Sequence, residues 1–558
     1  MGRKSGAQLN PMRPAMQQRA GADLMPSRKF ASELFLVLLT AAVLVPFLNK
    51  AFHIDDALFL WLAEQIIRHP LDPFAFTVNW VGTPEPMWSA MQNPPLASFF
   101  IAVISSFLGE SEVILHTAYL IWPVLVVVGT YRLARRFCQR PFLAAMIVLT
   151  APVFLVSATN VMCDVMLLAF YTWAVECWVS GLENRGWWLF PVSALLICAA
   201  TLTKYFGISL VVLLAVYTLL RDWRSWTRLL WLFVPIGVTA GYELWTRTKY
   251  GHGLFIEAAR YARLTAALYA ISLPKQILLG FSFLGGCFFT ALFFLPLKRR
   301  AILGWGLVFI IATVLFRLAF PPGSEFDGNY PFVVVEGGLF VASAWIMMAL
   351  GVSEIWKKRD AGSFLLILWI LGTFAFSTFL NWSVTSRTML PAVPAIAILF
   401  ARFTQYDSKS SASITAAILV AAALSLGITL ADYRIANIAR EASDQFKERF
   451  QSDRGTVWFQ SHWGFQFYMQ KWGARAMNLA NPQVRSGDIM IIPANNTAVI
   501  SIQAEKVYQP EEITFSPVPV VSTWGFETGA SFYSAVRGPL PWMLGRVAQE
   551  KFYVARFR

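Results

Sequence analysis

The chain reads as a succession of apolar runs, most of them close to the roughly 20 residues that cross a bilayer core, joined by short polar connections. The runs fall near 34–50, 112–131, 142–158, 165–180, 187–203, 206–220, 228–246, 276–296, 301–320, 331–350, 362–380, 388–403 and 411–430. The stretch "PLASFFIAVISSFLG" (95–109) is apolar but short for a span. It is placed as an interfacial or re-entrant helix inside a long first loop, residues 51–111. The count is then about 13 transmembrane helices. From about 432 the pattern changes. "ADYRIANIAREASDQFKERF" is polar and helix-prone, and short apolar runs such as "TVWF" and "DIMIIP" follow between prolines and glycines. The expected architecture is an all-α polytopic membrane protein carrying a small α/β C-terminal domain. Its parts are a basic tail (1–33), a membrane domain (34–431) and the C-terminal domain (432–558).

Composition agrees with that class. Apolar residues make up 57% of the 558 and charged residues 14%, with a mean hydropathy of +0.54. The net charge of +14 does not point to nucleic acid, because the basic residues sit in short connections between apolar runs. That is the signature of cytoplasmic loops. "YRLARRFCQR", "RDWRSWTR", "LKRR" and "WKKRD" are such connections. With the N-terminus inside, the first loop and the C-terminal domain fall outside, and the expected location is a bacterial-type cytoplasmic (inner) membrane. The first apolar run lacks a small-x-small cleavage site and reads as a retained anchor. Cys138, Cys163, Cys177, Cys198 and Cys287 lie in or beside apolar runs without metal-ligand spacing, and none follows residue 287. They read as packing residues, not a disulfide framework.

Chemistry gathers at one rim. "FHIDDALFLWLAEQ" (52–65) puts Asp55 and Asp56 behind the first apolar run. Asp164 opens the run near 165, Lys204 occupies the turn of "ATLTKYFG", and Arg387 opens the run near 388. Each has an ordinary explanation. Asp55 suits an N-cap for a helix beginning at Asp56, with Ile54 and Phe59 as a staple. Asp164 suits a cap, Lys204 can snorkel, and Arg387 can meet headgroups. His53 and Asp55 form an H-x-D pair, too short a match to assign a metal. Together the set suggests more, since ionisable groups near hydrocarbon are costly unless they work. A carboxylate can take a proton from an acceptor hydroxyl or amine as it attacks a sugar carbon. Cations can stabilise a departing lipid phosphate. The outer segments 321–332, with Glu325, Asp327 and Asn329, and 459–473, rich in aromatics, are candidates for specificity but not for the site.

The same residues resemble the GT-C membrane glycosyltransferases, in particular the family 39 protein mannosyltransferases and their bacterial relatives that transfer aminoarabinose to lipid A. The resemblance rests on Asp55-Asp56-Ala57-Leu58-Phe59, Asn93-Pro94-Pro95-Leu96, Arg135-Arg136-Phe137, Cys163-Asp164, Leu202-Thr203-Lys204, and Arg387 with Pro391 and Pro394. It implies a GT-C fold with Asp55 as catalytic base and Asp56 orienting the acceptor. Asp164 would be a supporting carboxylate, and Lys204 and Arg387 would hold donor phosphate. The chain departs from the family pattern in having Asp56 where Glu is usual and Asn93 where His is usual. No metal ligand set is assigned, and the resemblance leaves a divalent cation open. The expected activity moves a sugar from a polyprenyl-phosphate donor to an envelope protein, lipid or glycan at the external face, with inversion by single displacement. The competing reading is a lipid or glycan transporter or flippase without chemistry.

Overall fold

The computed structural model describes residues 26–295, 299–323, 326–405, 410–497 and 499–558. Most of the expected basic tail, and Glu325, lie outside the described residues. Among the described residues, nine helices are long and apolar enough to cross a membrane, or eleven if each of two bent pairs counts as one span. The chain is an integral membrane protein. Two more of the expected crossings form apolar helices that are short for a span, Leu189–Thr203 and Tyr205–Arg221. The run 95–109 forms the short helix Leu96–Leu108.

The breaks have local causes. The run 142–158 is two helices, Pro141–Leu149 and Pro152–Ala158, bent by 62°. Pro152 has no N–H to continue the ladder, and its ring disfavours helical geometry in the residue before it. The carbonyl of Thr150, exposed by that break, accepts from Thr290 Oγ1 at 2.8 Å and Ser425 Oγ at 2.6 Å. The expected crossing near 276–296 is the second half of a sharper pair, Leu254–Leu268 and Leu273–Cys287, bent by 114°.

The C-terminal part does not begin at a boundary. One 40-residue helix, Ser411–Phe450, runs through position 432 without interruption. Beyond it lies a five-stranded mixed sheet. Val457–Phe459 pairs in parallel with Arg475–Ala476 on one side and Ile489–Pro493 on the other. Glu550–Phe557 lies antiparallel between Ile489–Pro493 and Val507–Phe515. Helix Trp463–Lys471 makes the crossover, and Phe446, Phe459, Phe465 and Phe552 form a buried core with the sheet. The segment between the last two strands leaves the sheet and returns to the membrane helices. Phe532 O accepts from Ser386 N at 2.9 Å, Ala535 N donates to Val384 O at 2.8 Å, and Trp542 Nε1 donates to Gly286 O at 2.9 Å. The sequence pattern predicts a small α/β domain here, and the strands and crossover helix form one. Its last loop is stitched into the helices.

The two ends of the membrane half are joined by a buried ion pair. Lys50, just after the first helix, lies 2.5 Å from Asp432 in the long helix, and both side chains are fully buried. Lys50 Nζ also donates to Thr159 Oγ1 at 3.2 Å and Asn160 Oδ1 at 2.6 Å, so its three N–H groups have three acceptors. Asp432 accepts in addition from Thr523 Oγ1 at 2.8 Å and Tyr533 OH at 2.9 Å. Removing one partner leaves the other charge buried and uncompensated. Lys50→Met is therefore expected to lower stability by about 3–5 kcal/mol, read as a fall in the melting temperature of the purified chain; an unchanged melting temperature contradicts the pairing.

Candidate active site

The peptide bearing the two aspartates is held on both sides. Phe52 N donates to Tyr468 OH at 2.8 Å, and the Phe52 ring stacks with His116 and Tyr468 at 6.3 and 6.4 Å between centroids. Gly464, at the start of helix Trp463–Lys471, presses directly on this backbone: a Cβ there would stand 2.0 Å from Phe52 O. Only glycine permits that approach. The peptide then turns through Ile54 at a φ of 45°, a costly conformation for a β-branched residue.

The turn sends the adjacent carboxylates to different tasks. Asp56 is fully buried, and its oxygens accept from His53 N at 2.8 Å and Val161 N at 3.0 Å. Burial pushes its carboxyl up to about 7, against the pull of those two N–H groups and Lys50. Asp56 thus ties the loop to the broken helix pair near Val161. Asp55 occupies the N-cap position but makes no capping bond, which removes the ordinary explanation for it. Its side chain stays 27% exposed and meets Arg387 Nη2 at 2.6 Å.

Arg387 enters on a short helix, Ser386–Met389, opened by a capping box between Thr385 and Thr388. Its Nη1 lies 3.7 Å from Asp164 Oδ2 and 2.8 Å from Met162 Sδ. Its buried Nε has no hydrogen-bond partner among the described residues. Asp164, in the first turn of helix Cys163–Leu182, receives Lys204 Nζ at 2.6 Å. Lys204 stands where helix Leu189–Thr203 ends and the chain doubles back. The return is tight because of Gly207: a Cβ there would come within 2.4 Å of the backbone of Ala200 and Thr201. Four segments thus bring Asp55, Arg387, Asp164 and Lys204 into one chain of alternating charge.

Not every sequence candidate is there. Arg136 bonds Glu176 and Glu183 near the far end of helix Cys163–Leu182 from Asp164. His53 is buried, and burial pushes its imidazole down to about 4, so it is neutral. It faces Asp432 at 3.9 Å and the edge of Tyr533. Among the described residues, no group of three or more His, Cys, Asp or Glu side chains is placed to hold a metal ion. Lys50, Asp432, Tyr468 and Tyr533 escaped the sequence reading. The first two carried a signal, each being a charge at the edge of an apolar run. The tyrosines carried none.

The family profile described as dolichyl-phosphate-mannose-protein mannosyltransferase matches residues 92–241. The resemblance to the GT-C glycosyltransferases holds. The matched GT-C segment contains Asp164 and Lys204 and leaves Asp55 and Arg387 outside. No curated protein matches the chain in sequence. Several solved structures align with it. ArnT from Cupriavidus metallidurans, crystallised with undecaprenyl phosphate, is 14% identical, with 83% of this chain and 93% of that chain covered at a TM-score of 0.44. The Archaeoglobus fulgidus oligosaccharyltransferase tethered to an acceptor peptide is 10% identical, covering 81% of this chain and 64% of that one at 0.46. The arabinofuranosyltransferase AftD from Mycobacteria is 12% identical, covering 96% and 40% at 0.36. The chain spans less than two thirds of the length of the last two, and likenesses at these scores carry no functional argument.

The two aspartates are separable by measurement. An amide at 56 has one acceptor oxygen for two backbone N–H groups. Asp56→Asn is therefore expected to destabilise the fold by about 1–3 kcal/mol, and Asp55→Asn by less, because its amide oxygen still accepts from Arg387 at a part-exposed position. Equal losses in both variants contradict the division of roles.

Proposed function

We propose that the chain is a membrane glycosyltransferase that moves a sugar from a polyprenyl-phosphate donor to an acceptor hydroxyl or amine of the cell envelope. The acceptor is a protein, lipid or glycan at the external face of a bacterial-type inner membrane. The observation that carries the reading is the alternating cluster of Asp55, Arg387, Asp164 and Lys204, assembled from remote segments, with Asp164 and Lys204 inside the family-matched stretch.

The cluster is poised for an exchange of partners. Lys204 and Arg387 balance Asp55 and Asp164, so the set carries no net charge. A lipid phosphate that engages Lys204 and the guanidinium of Arg387 draws the latter from Asp55, and the Nε that has no partner in this state gains one. The freed Asp55 oxygen then takes the acceptor proton. The acceptor oxygen or nitrogen bonds the anomeric carbon as the bond from that carbon to phosphate oxygen breaks, and the electron pair leaves with the phosphate. Lys204 and Arg387 receive that developing charge in a site of low dielectric, where it is stabilised most. Asp164 stays paired with Lys204 and keeps both cations aimed at the same place. Asp56 orients the acceptor only indirectly, by fixing the turn at Ile54. The expected assignment of Asp56 to acceptor contact is narrowed to that role, because its oxygens are taken by backbone N–H groups.

The test is transfer from radiolabelled undecaprenyl-phosphate sugars to envelope extracts by the purified full chain. Asp55→Asn is expected to lose about 10²–10⁴-fold in rate, the contribution of a general base. A wild-type rate in that variant contradicts the assignment. Carrier crossing the bilayer without transfer supports the transporter instead. Since both carboxylates are already balanced by cations, no metal is assigned to the step, and transfer is expected to persist in EDTA. Abolition by EDTA with rescue by Mg²⁺ or Mn²⁺ contradicts that.

A further inference from the structure

Arg387 stands between two carboxylates on a side chain with several rotatable bonds. Asp55 lies 2.6 Å from one terminal nitrogen and Asp164 lies 3.7 Å from the other. Attraction to two anions does not by itself fix a guanidinium plane. Met162 Sδ meets the edge of the group at Nη1, and the contact with its face comes from Tyr533: the Arg387 guanidinium carbon sits 5.6 Å from the centroid of that ring, within cation–π range. We propose that Tyr533, from the C-terminal loop, is the positioning residue for Arg387, so that the phosphate-binding face is completed by the last part of the chain.

The ring is well placed for that role. Tyr533 is 3% exposed. Its hydroxyl donates to Asp432 and accepts from Asn160 Nδ2 at 3.1 Å. It therefore extends the Lys50–Asp432 network to the underside of Arg387. The backbone on either side is fastened to the peptide that delivers Arg387. Phe532 O accepts from Ser386 N, and Ala535 N donates to Val384 O. Ser383 Oγ and Ser534 Oγ are 2.9 Å apart. One short loop thus holds the entry to Arg387 by its main chain and the guanidinium by its ring. The consequence for catalysis rests on the glycosyltransferase reading; the positioning does not.

Two substitutions separate ring from hydroxyl. Tyr533→Phe keeps the π face and deletes the bonds to Asp432 and Asn160. Tyr533→Leu deletes both. Both variants are expected to melt at a lower temperature than wild type, but only Tyr533→Leu is expected to move Arg387 away from Asp55 in a structure determined by cryo-electron microscopy. Tyr533→Met fills a similar space without a ring and is examined in the same way if the leucine variant does not fold. Arg387 remaining on Asp55 in the ring-less variant overturns the proposal.

Binding of undecaprenyl phosphate to the full chain supplies the second readout. Tyr533→Leu is expected to weaken it about tenfold and Tyr533→Phe by less than about twofold. The Tyr533→Leu loss is expected to vanish in an Arg387→Ala background. A tenfold loss that persists without Arg387 overturns the proposal. If wild type does not bind the carrier while Arg387 still shifts in Tyr533→Leu, the carrier reading fails and the positioning stands.

Discussion

A lysine and an aspartate without solvent contact, Lys50 and Asp432, set the geometry of everything above them. Taking two charges out of water costs several kcal/mol per ion, and the cost is offset only where each finds a full set of partners. Here each does: the ammonium meets three acceptors, and the carboxylate meets the ammonium, a threonine and a tyrosine. Those partners come from the end of the first helix, the broken helix pair, the long helix and the C-terminal loop. The pair acts as a registry device more than as a source of stability.

The site is built outward from that register. Five residues past Lys50 the chain reaches Asp55. One residue past Thr159 and Asn160, Val161 N fixes Asp56, and three residues further stands Asp164. The loop that gives Tyr533 to Asp432 also supplies the ring beside Arg387. Catalytic geometry must hold to fractions of an ångström, and a site drawn from segments hundreds of residues apart needs such a common anchor. The strain at Ile54 and the contact at Gly464 are consistent with a peptide whose position is imposed by its surroundings.

The apolar periodicity made the helical membrane half legible, because bilayer thickness dictates run length. It did not show that Pro152 breaks one run or that residues 254–287 bend sharply, since hydropathy is blind to direction. Asp55, Asp164, Lys204 and Arg387 stood out because each is a charge beside hydrocarbon, and such charges are rare without a reason. Asp56 was read as orienting the acceptor beside Asp55, for adjacency in sequence says nothing of where a turn at φ 45° sends each side chain. Position 432 was read as the start of a new domain because polarity rises there. The rise lies within one continuous helix, whose second half buries Asp432, Asn437 and Ser443 along with its apolar residues. Tyr533 was invisible: an aromatic in a loop with no period carries no sign that it stands beside an arginine nearly 150 residues earlier.

The central claim is that a lipid phosphate displaces Asp55 from Arg387 and sits between that residue and Lys204. A cryo-electron microscopy structure of the full chain in lipid nanodiscs, with undecaprenyl phosphate added, measures this directly. The account predicts phosphate density bonded to Lys204 Nζ and the Arg387 guanidinium, with the Asp55 carboxylate released toward the open side of the cluster. Phosphate density elsewhere, with Asp55 and Arg387 still paired, contradicts it.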